Sequence, residues 1–482
     1  MFPATPHPIG AGPGKGSGDD IELPARARRQ RSAGFWDNLD APYLLARDGG
    51  LDVLTLEYLA ELTLAILAHL RAKDASAGYV TDFPDLLQRL QPILADQAGP
   101  TIVTNAGGLN WPPARKSGAI LVGADRGDTP IGVVSGDDLP RPDPLLIQDG
   151  VALDHMETGE SIATVVDRLV AANAYLGRPA NRRARPGGQD RPDGPGRRCL
   201  ADLGPAASAF GWDWDDWAKL AGASTAGHLI ECGAQATGGL WRRWDEVPDL
   251  ANIGYPIAEL SPDGSCTLTK PAGTGGFVHV ANVAEQLLYE VEDPACYRTP
   301  DVDVDLTTVQ LEQDGDDRVR VSGASGNPPS DRLKVSAIYR DGWMASGFLA
   351  VVGRDAETRA RAAGRIVLER VKRAGFDLAA SLVECLGAGD VVPGVIRPES
   401  PPREVVLRVT VRDPRRSAVQ RFCKEMAPLV TAGPPGIAGY ASGRPEARPA
   451  FGYFPMLIPR SMVEPICEVR SALDWAREEA GE

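Results

Sequence analysis

The segment GHLIECGAQATGG, residues 227–239, carries the most reactive combination of side chains in the chain. On a helix His228 and Cys232 fall four residues apart on one face, with Glu231 alongside. An imidazole within reach of a thiol can take its proton and leave a thiolate nucleophile, while a carboxylate orients the ring. A helix also offers such a pair by chance, and buried cysteine is common, so an ordinary packed face fits the same residues.

Two short turns follow β-type runs. In NAGGLN (105–110) Gly107 and Gly108 let backbone approach a ligand, and Asn105 and Asn110 offer amide donors. The same glycines suit a plain tight turn. SGDD places Asp137 and Asp138 in the equivalent position. Adjacent carboxylates raise one another's pKa and can act as an acid/base pair or hold a cation, whereas acidic residues at a helix start are the alternative. KPAGTGGFV (270–278) sets Lys270 before Gly273, Thr274, Gly275 and Gly276, a combination suited to a phosphate or pyrophosphate. The lysine precedes the glycines, so this is no Walker A loop, and no G-x-G-x-x-G follows the first strand. DHMETGE offers Asp154, His155, Glu157 and Glu160 without a second histidine nearby, and no metal site is expected there. Trp212, Trp214 and Trp217 read as packing a helix start.

The elements that would position these residues alternate between strand and helix. LDVLTL (51–56), TIVTNA (101–106) and IGVVSG (131–136) read as buried strands; EYLAELTLAILAHLRAK (57–73), DFPDLLQRLQPILADQ (82–97) and SIATVVDRLVAANAYLG (161–177) read as amphipathic helices. This alternation predicts an α/β fold with a mostly parallel sheet, in which ligands sit beyond the carboxyl ends of the strands. Further along come SCTLTK (265–270), RVRVSG (318–323) and a helix over 356–375. A Pro/Gly/acidic stretch over 387–404 then precedes a strand at 405–413 and a helix at 416–429. The expected organisation is a disordered leader (1–32), an α/β core (33–390), a linker (391–404) and a small α+β module (405–482).

The bulk properties narrow the function classes. With 482 residues, two or three domains are expected. A net charge of −14 disfavours nonspecific binding to nucleic acid or anionic membranes. No apolar run reaches the roughly 20 residues of a membrane helix. Seven scattered cysteines without C-x-x-C spacing point to a reducing compartment, and a cytoplasmic location is expected.

The order of segments is specific. AGFWDNLDAP, LDVLTLEYLAELTLAIL, AGYVTDF, VTNAGGLN, VVSGDDL, GHLIECGAQATGG, DLANIGYPIAE, TKPAGTGG, EQLLYEVEDPACYRTPDV and GPPGIAGY follow one another from about Ala33 onward. Together they resemble the acyclic terpene utilisation family, AtuA. The resemblance implies a place in the breakdown of citronellol- and geraniol-type acids as CoA thioesters, with an acyl-CoA as substrate and no cofactor specified. It does not imply a particular reaction. A non-catalytic subunit or scaffold of an acyl-CoA-processing complex is the alternative. Family members carry a further C-terminal domain or have it as a separate small ferredoxin-fold protein, so such a subunit is an expected partner, and a homo-oligomer is expected. The chain departs from the family pattern in lacking the glycine of the usual F-W-G-D opening (Phe35 to Asn38 here) and in following NAGGLN with WPPARKSG. Pro112 and Pro113 permit a helix to start there but not to continue through them.

The largest departure lies at 178–203. Between Arg178 and Arg198 stand seven arginines, four prolines and four glycines, with almost nothing apolar to bury. Such a composition cannot repay its own ordering entropy. Family members have a helix beginning P-I-x-E there, then a strand and turn resembling I-V-L-T-G-R-V-A-D. Shifted by one nucleotide, Asn181 to Ala184 can encode I-A-E and Asp190 to Leu200 can encode I-V-L-T-G-R-V-A-D-A. The stretch is therefore read as the product of two compensating frame changes, a reading that the wobble bases of the gene decide.

Overall fold

A computed structural model of the chain describes residues 27–33, 37–95, 99–110, 112–139, 153–177, 200–395 and 398–480. The first strand, β1 (Ala27–Ala33), begins inside the expected leader. It pairs in parallel with β2 (Val53–Glu57), which pairs in parallel with β3 (Thr101–Thr104). Helices α1 (Ala41–Asp48), α2 (Glu61–Lys73) and α3 (Asp82–Leu94) connect them. Every residue of β2 is buried, Thr55 and Glu57 included, as befits a central strand covered on both faces. α4 (Pro112–Gly123) starts on the two prolines, which lack only amide protons that a helix start leaves unpaired.

Here the parallel arrangement stops, and the expectation of a mostly parallel sheet is corrected. β4 (Pro130–Ser135) does not join β1–β3; it pairs antiparallel with a strand near the C-terminus. On the other side of β1 the sheet continues through antiparallel strands β6 (Ile257–Leu260), β7 (Cys266–Thr269), β11 (Val319–Ser322) and β10 (Gln310–Gln313). The short Ser261–Ser265 turn between β6 and β7 can join only antiparallel neighbours, because a parallel pair needs a long crossover. A small three-stranded sheet, β8 (Tyr297–Arg298), β9 (Asp303–Asp305) and β12 (Ser325–Asn327), lies outside this path.

The second correction concerns 161–177. Instead of one amphipathic helix, the segment forms two short 3-10 turns and then β5 (Leu169–Ala174). β5 pairs antiparallel with the start of the long strand β13 (Arg332–Val352). Its apolar residues fit a helical period locally, but pairing with β13 and burial of nearly every residue override that preference.

The second half of β13 belongs to a compact unit. In chain order come β13, the helix Ala356–Arg373, β14 (Ala380–Leu386), β15 (Glu404–Asp413), the helix Arg416–Met426 and β16 (Ile437–Tyr440), with sheet order β14-β15-β13-β16. This is a ferredoxin-like βαββαβ arrangement. Both helices cover one face over a core that includes Leu349, Val367, Leu407, Val409 and Phe422. The stretch 387–404 joins β14 to β15, which pair along seven residues, so it is a connection inside this unit. β17 (Arg448–Pro459) returns to the first half of β13, β18 (Ile466–Ser471) pairs with β4, and the final helix Ala472–Ala480 packs on α4. The C-terminal residues are thus bound into the N-terminal half.

One buried carboxylate gives this unit an acid-sensitive anchor. Asp413 accepts the Arg415 guanidinium at 2.8 Å and also the backbone N–H groups of Arg415 and Ala379. The Arg415 hydrogen bond, followed by the two amides, holds its carboxyl below the usual carboxylate range. A depressed folded pKa stabilises the fold above the unfolded value of about 4, and this stabilisation is lost as pH falls through the lower folded value. Wild type should therefore lose more stability than Asp413→Asn between about pH 5 and about pH 2 in urea melts. Equal acid losses would contradict this account.

The stretch 178–199 lies outside the described residues; from Leu200 the chain is helical to Phe210. Among the described residues no helix is long and apolar enough to cross a membrane.

Candidate functional site

The two turns, NAGGLN and SGDD, meet. Asn105, Gly107, Gly108, Leu109 and Asn110 line one side of a cavity of about 150 Å³, and Ser135, Gly136, Asp137 and Asp138 line another. β5 supplies Asn173 and Ala174, and Leu59, Val133, Val134 and Leu176 make the wall largely apolar. The cavity adjoins the carboxyl ends of β2 and β3, the edge at which parallel strands present their loops.

The turns are shaped by what surrounds them. Gly108 has φ +59°, and a Cβ there would stand 2.5 Å from Leu67 and 2.7 Å from the Gly78 carbonyl. Gly136 has φ +91°, and its Cβ would meet the Glu464 carbonyl at 2.3 Å. Glycine is required at both on conformation and on space. Gly107, by contrast, has room for a Cβ, whose nearest neighbour would be the Asn110 carbonyl at 3.9 Å.

The asparagine amides that sequence offered to a ligand are engaged within the protein. Asn105 accepts the Tyr58 N–H at 2.7 Å and donates to the buried Glu57 carboxylate at 2.7 Å, tying the end of β3 to the end of β2. Asn110 donates to the carbonyls of Ala75 and Ala77. Arg71 of α2 then clamps the cavity's three contributors together. Its guanidinium donates to the Leu109 carbonyl at 2.7 Å and the Val170 carbonyl at 3.2 Å, and lies 3.7 Å from Asp138. Asn173 donates to the Asp137 carboxylate at 3.0 Å, while the Ala174 N–H donates to the Asp137 carbonyl at 2.8 Å.

Glu57, Arg71 and Asn173 were not singled out from sequence. Glu57 ends a run that reads simply as a strand, and Arg71 looks like any helix-end cation. Asn173 sat in a segment read as a helix, where nothing places it opposite Asp137.

The other expected site residues lie away from this cavity. His228 is buried on the helix Trp217–Glu231, with its Nε2 3.1 Å from the Leu287 carbonyl. A carbonyl only accepts, so Nε2 carries the proton, and Nδ1 faces the Tyr297 hydroxyl at 3.5 Å and the Glu231 carboxylate at 3.8 Å. Cys232 follows as the residue that caps this helix. Lys270 is turned inward: its ammonium donates to the Thr274 carbonyl at 2.9 Å and pairs with Asp317 at 3.0 Å. Gly275 and Gly276 permit close contact, since Cβ atoms there would meet Asp249 and the Thr237 and Ile253 carbonyls below 2.5 Å. Gly273 faces open space. His155 accepts two backbone N–H groups of its own turn and packs edge-on against Phe454. Trp212 is buried in the core, and its indole donates to the Pro262 carbonyl.

No curated protein and no solved structure matches the chain. A family model does, described as acyclic terpene utilisation family protein AtuA, over residues 30–190 and 195–469. The interruption at 191–194 falls inside the Arg/Pro/Gly stretch, and the match resumes at residue 195. The match covers most of the chain, including both turns of the cavity, and the chain belongs to the AtuA family of acyclic terpene utilisation.

Proposed function

We propose that this protein is an enzyme of branched terpenoid acyl-CoA breakdown and that the cavity between NAGGLN and SGDD receives the acyl end of the thioester. The observation that carries the reading is the convergence of two turns some 30 residues apart, with Asp137, Asp138 and Asn173, on one apolar-walled cavity. Ligand sites combine an apolar lining with a few fixed polar groups, and this cavity has that composition. About 150 Å³ is the volume of a site for a benzene-sized group, so it suits an acyl terminus and not a whole coenzyme. Asp137 is the proposed general acid/base, with its carboxylate oriented by Asn173 and flanked by Asp138. The Lys270–Gly276 loop is retained as a candidate for the phosphate end, and His228, Glu231 and Cys232 as candidates for chemistry elsewhere. Seven scattered cysteines without C-x-x-C spacing suit a reducing, cytoplasmic setting.

Incubation of the purified full chain with citronellyl-CoA or geranyl-CoA, followed by mass spectrometry of the thioesters, tests the reading. Asp137→Asn is expected to lower turnover about 100-fold or more, as removal of a general acid/base does. Turnover by Asp137→Asn at the wild-type rate would defeat the assignment, and full turnover by Cys232→Ala would remove the thiol from the mechanism. Binding without turnover would favour the alternative of a non-catalytic subunit.

A further inference from the structure

A second cavity, also of about 150 Å³, shares a wall with the first, because Leu176 lines both. Beyond Leu176 the second lining is largely apolar, with Gly177, Leu333, Val463 and Pro465. Arg460 also borders it, but its guanidinium is engaged by the carbonyls of Pro300 at 2.7 Å and Ser330 at 3.1 Å.

The β5–β13 pairing puts Leu176 between the two cavities. Val335 pairs with Ala174, and the Tyr175 N–H donates to the Lys334 carbonyl at 2.9 Å, so Leu176 comes opposite Leu333 of the second lining. Its buried side chain belongs to one apolar cluster with Val134 of the first lining and with Leu333 and Val463 of the second. The two linings also touch near the turn. A Cβ on Gly136 of the first would stand 2.3 Å from the Glu464 carbonyl and 3.3 Å from the Pro465 Cα of the second. A leucine side chain can change rotamer, so the wall at Leu176 is one that a bound chain can displace.

Volume sets what each cavity holds. About 150 Å³ takes a benzene-sized group, roughly half the carbons of a citronellyl or geranyl chain. Two such cavities in contact match the two isoprenoid units of that chain. The polar groups at Asp137 and Asp138 belong to the first cavity alone, where the carbonyl end would lie.

Resting on the reading that the first cavity holds an acyl group, we infer that the acyl site is bipartite. The isoprenoid unit next to the thioester occupies the first cavity, and the distal unit passes Leu176 into the second. Leu333 and Val463 are thus specificity-determining residues for chain length, and the substrate class is the branched acyl-CoA of two isoprenoid units. No bond is made or broken in this recognition step.

The test titrates citronellyl-CoA and 3-methylbutyryl-CoA into the full chain by calorimetry. Both carry the branched unit next to the carbonyl, and only the first carries the distal one. Each buried methylene is worth about fourfold in affinity, so even after the longer chain is ordered wild type is expected to bind citronellyl-CoA at least about 30-fold more tightly. Val463→Phe fills the distal cavity and is expected to reduce that preference to about threefold or less, with affinity for 3-methylbutyryl-CoA kept within about twofold. Leu333→Phe fills the same cavity and is read in the same way if Val463→Phe does not fold. Equal wild-type affinities, or a full preference that survives the filling substitution, would overturn the inference and leave the acyl-site reading intact. Binding of neither thioester would overturn both.

Discussion

Gly136→Ala should cost the protein about 2–5 kcal/mol of stability and abolish the acyl-CoA binding proposed for the cavity. Two independent penalties act at this position. The backbone there has φ +91°, a region that an L side chain adopts only under strain. The added methyl would also stand 2.3 Å from the Glu464 carbonyl, a backbone atom that cannot swing aside as the end of a side chain can. Relief requires the SGDD turn and the segment ahead of β18 to separate, and that movement displaces Asp137 from Asn173. Gly107→Ala is the matched control. Gly107 has no positive φ, and its nearest prospective contact is the Asn110 carbonyl at 3.9 Å. Its stability should stay within about 0.5 kcal/mol of wild type, while its methyl takes space from the ligand. Urea denaturation, with calorimetric titration of the same samples, separates the two effects. A Gly136→Ala protein as stable as wild type would show that this turn is not held as described.

Trp475→Ala should be comparably severe, at about 3–5 kcal/mol. The indole is fully buried between the final helix and α4, its N–H donates to the Ile131 carbonyl at 3.2 Å, and the Arg470 guanidinium lies over the ring. Ile131 belongs to β4, the strand that carries SGDD. The truncation therefore removes a large buried surface and also loosens the two-stranded ribbon that aims Asp137 at the cavity. Trp475→Phe keeps most of the ring and loses the hydrogen bond, and should cost about 1–2 kcal/mol. Thermal and urea melts of the pair check both size and order. Melts of Trp475→Ala within about 1 kcal/mol of wild type would mean that the C-terminal helix does not support the site.

Much of the local structure was legible in the residues. The strands at 53–57, 101–104, 130–135, 266–269, 319–322 and 404–413, and the helices at 61–73, 82–94 and 356–373, follow from apolar periodicity and bounding turns. The two turns were also legible as glycine- and polar-rich segments immediately after strands; the parallel-sheet rule accounts for NAGGLN alone, since β4 pairs antiparallel with β18. The strand β5 was not. LVAANA has no polar alternation, and a short apolar run is consistent with either a helix or a strand until its neighbours are known. Asn173 was lost with it.

What the sequence by itself determined is the family, carried by ordered segments over most of the chain, together with the elements and the chemical types present at 105–110 and 135–138. What only the tertiary structure decided is which of these come together. β4 leaves the parallel sheet for a strand more than 300 residues away, which carries SGDD to NAGGLN and Asn173. Lys270 spends its charge on its own loop and Asp317, and the His228 ring settles against the Leu287 carbonyl. Periodicity is a property of neighbours along the chain. Strand partners and salt-bridge partners are chosen between distant segments by burial and hydrogen-bond satisfaction, and no local pattern records that choice.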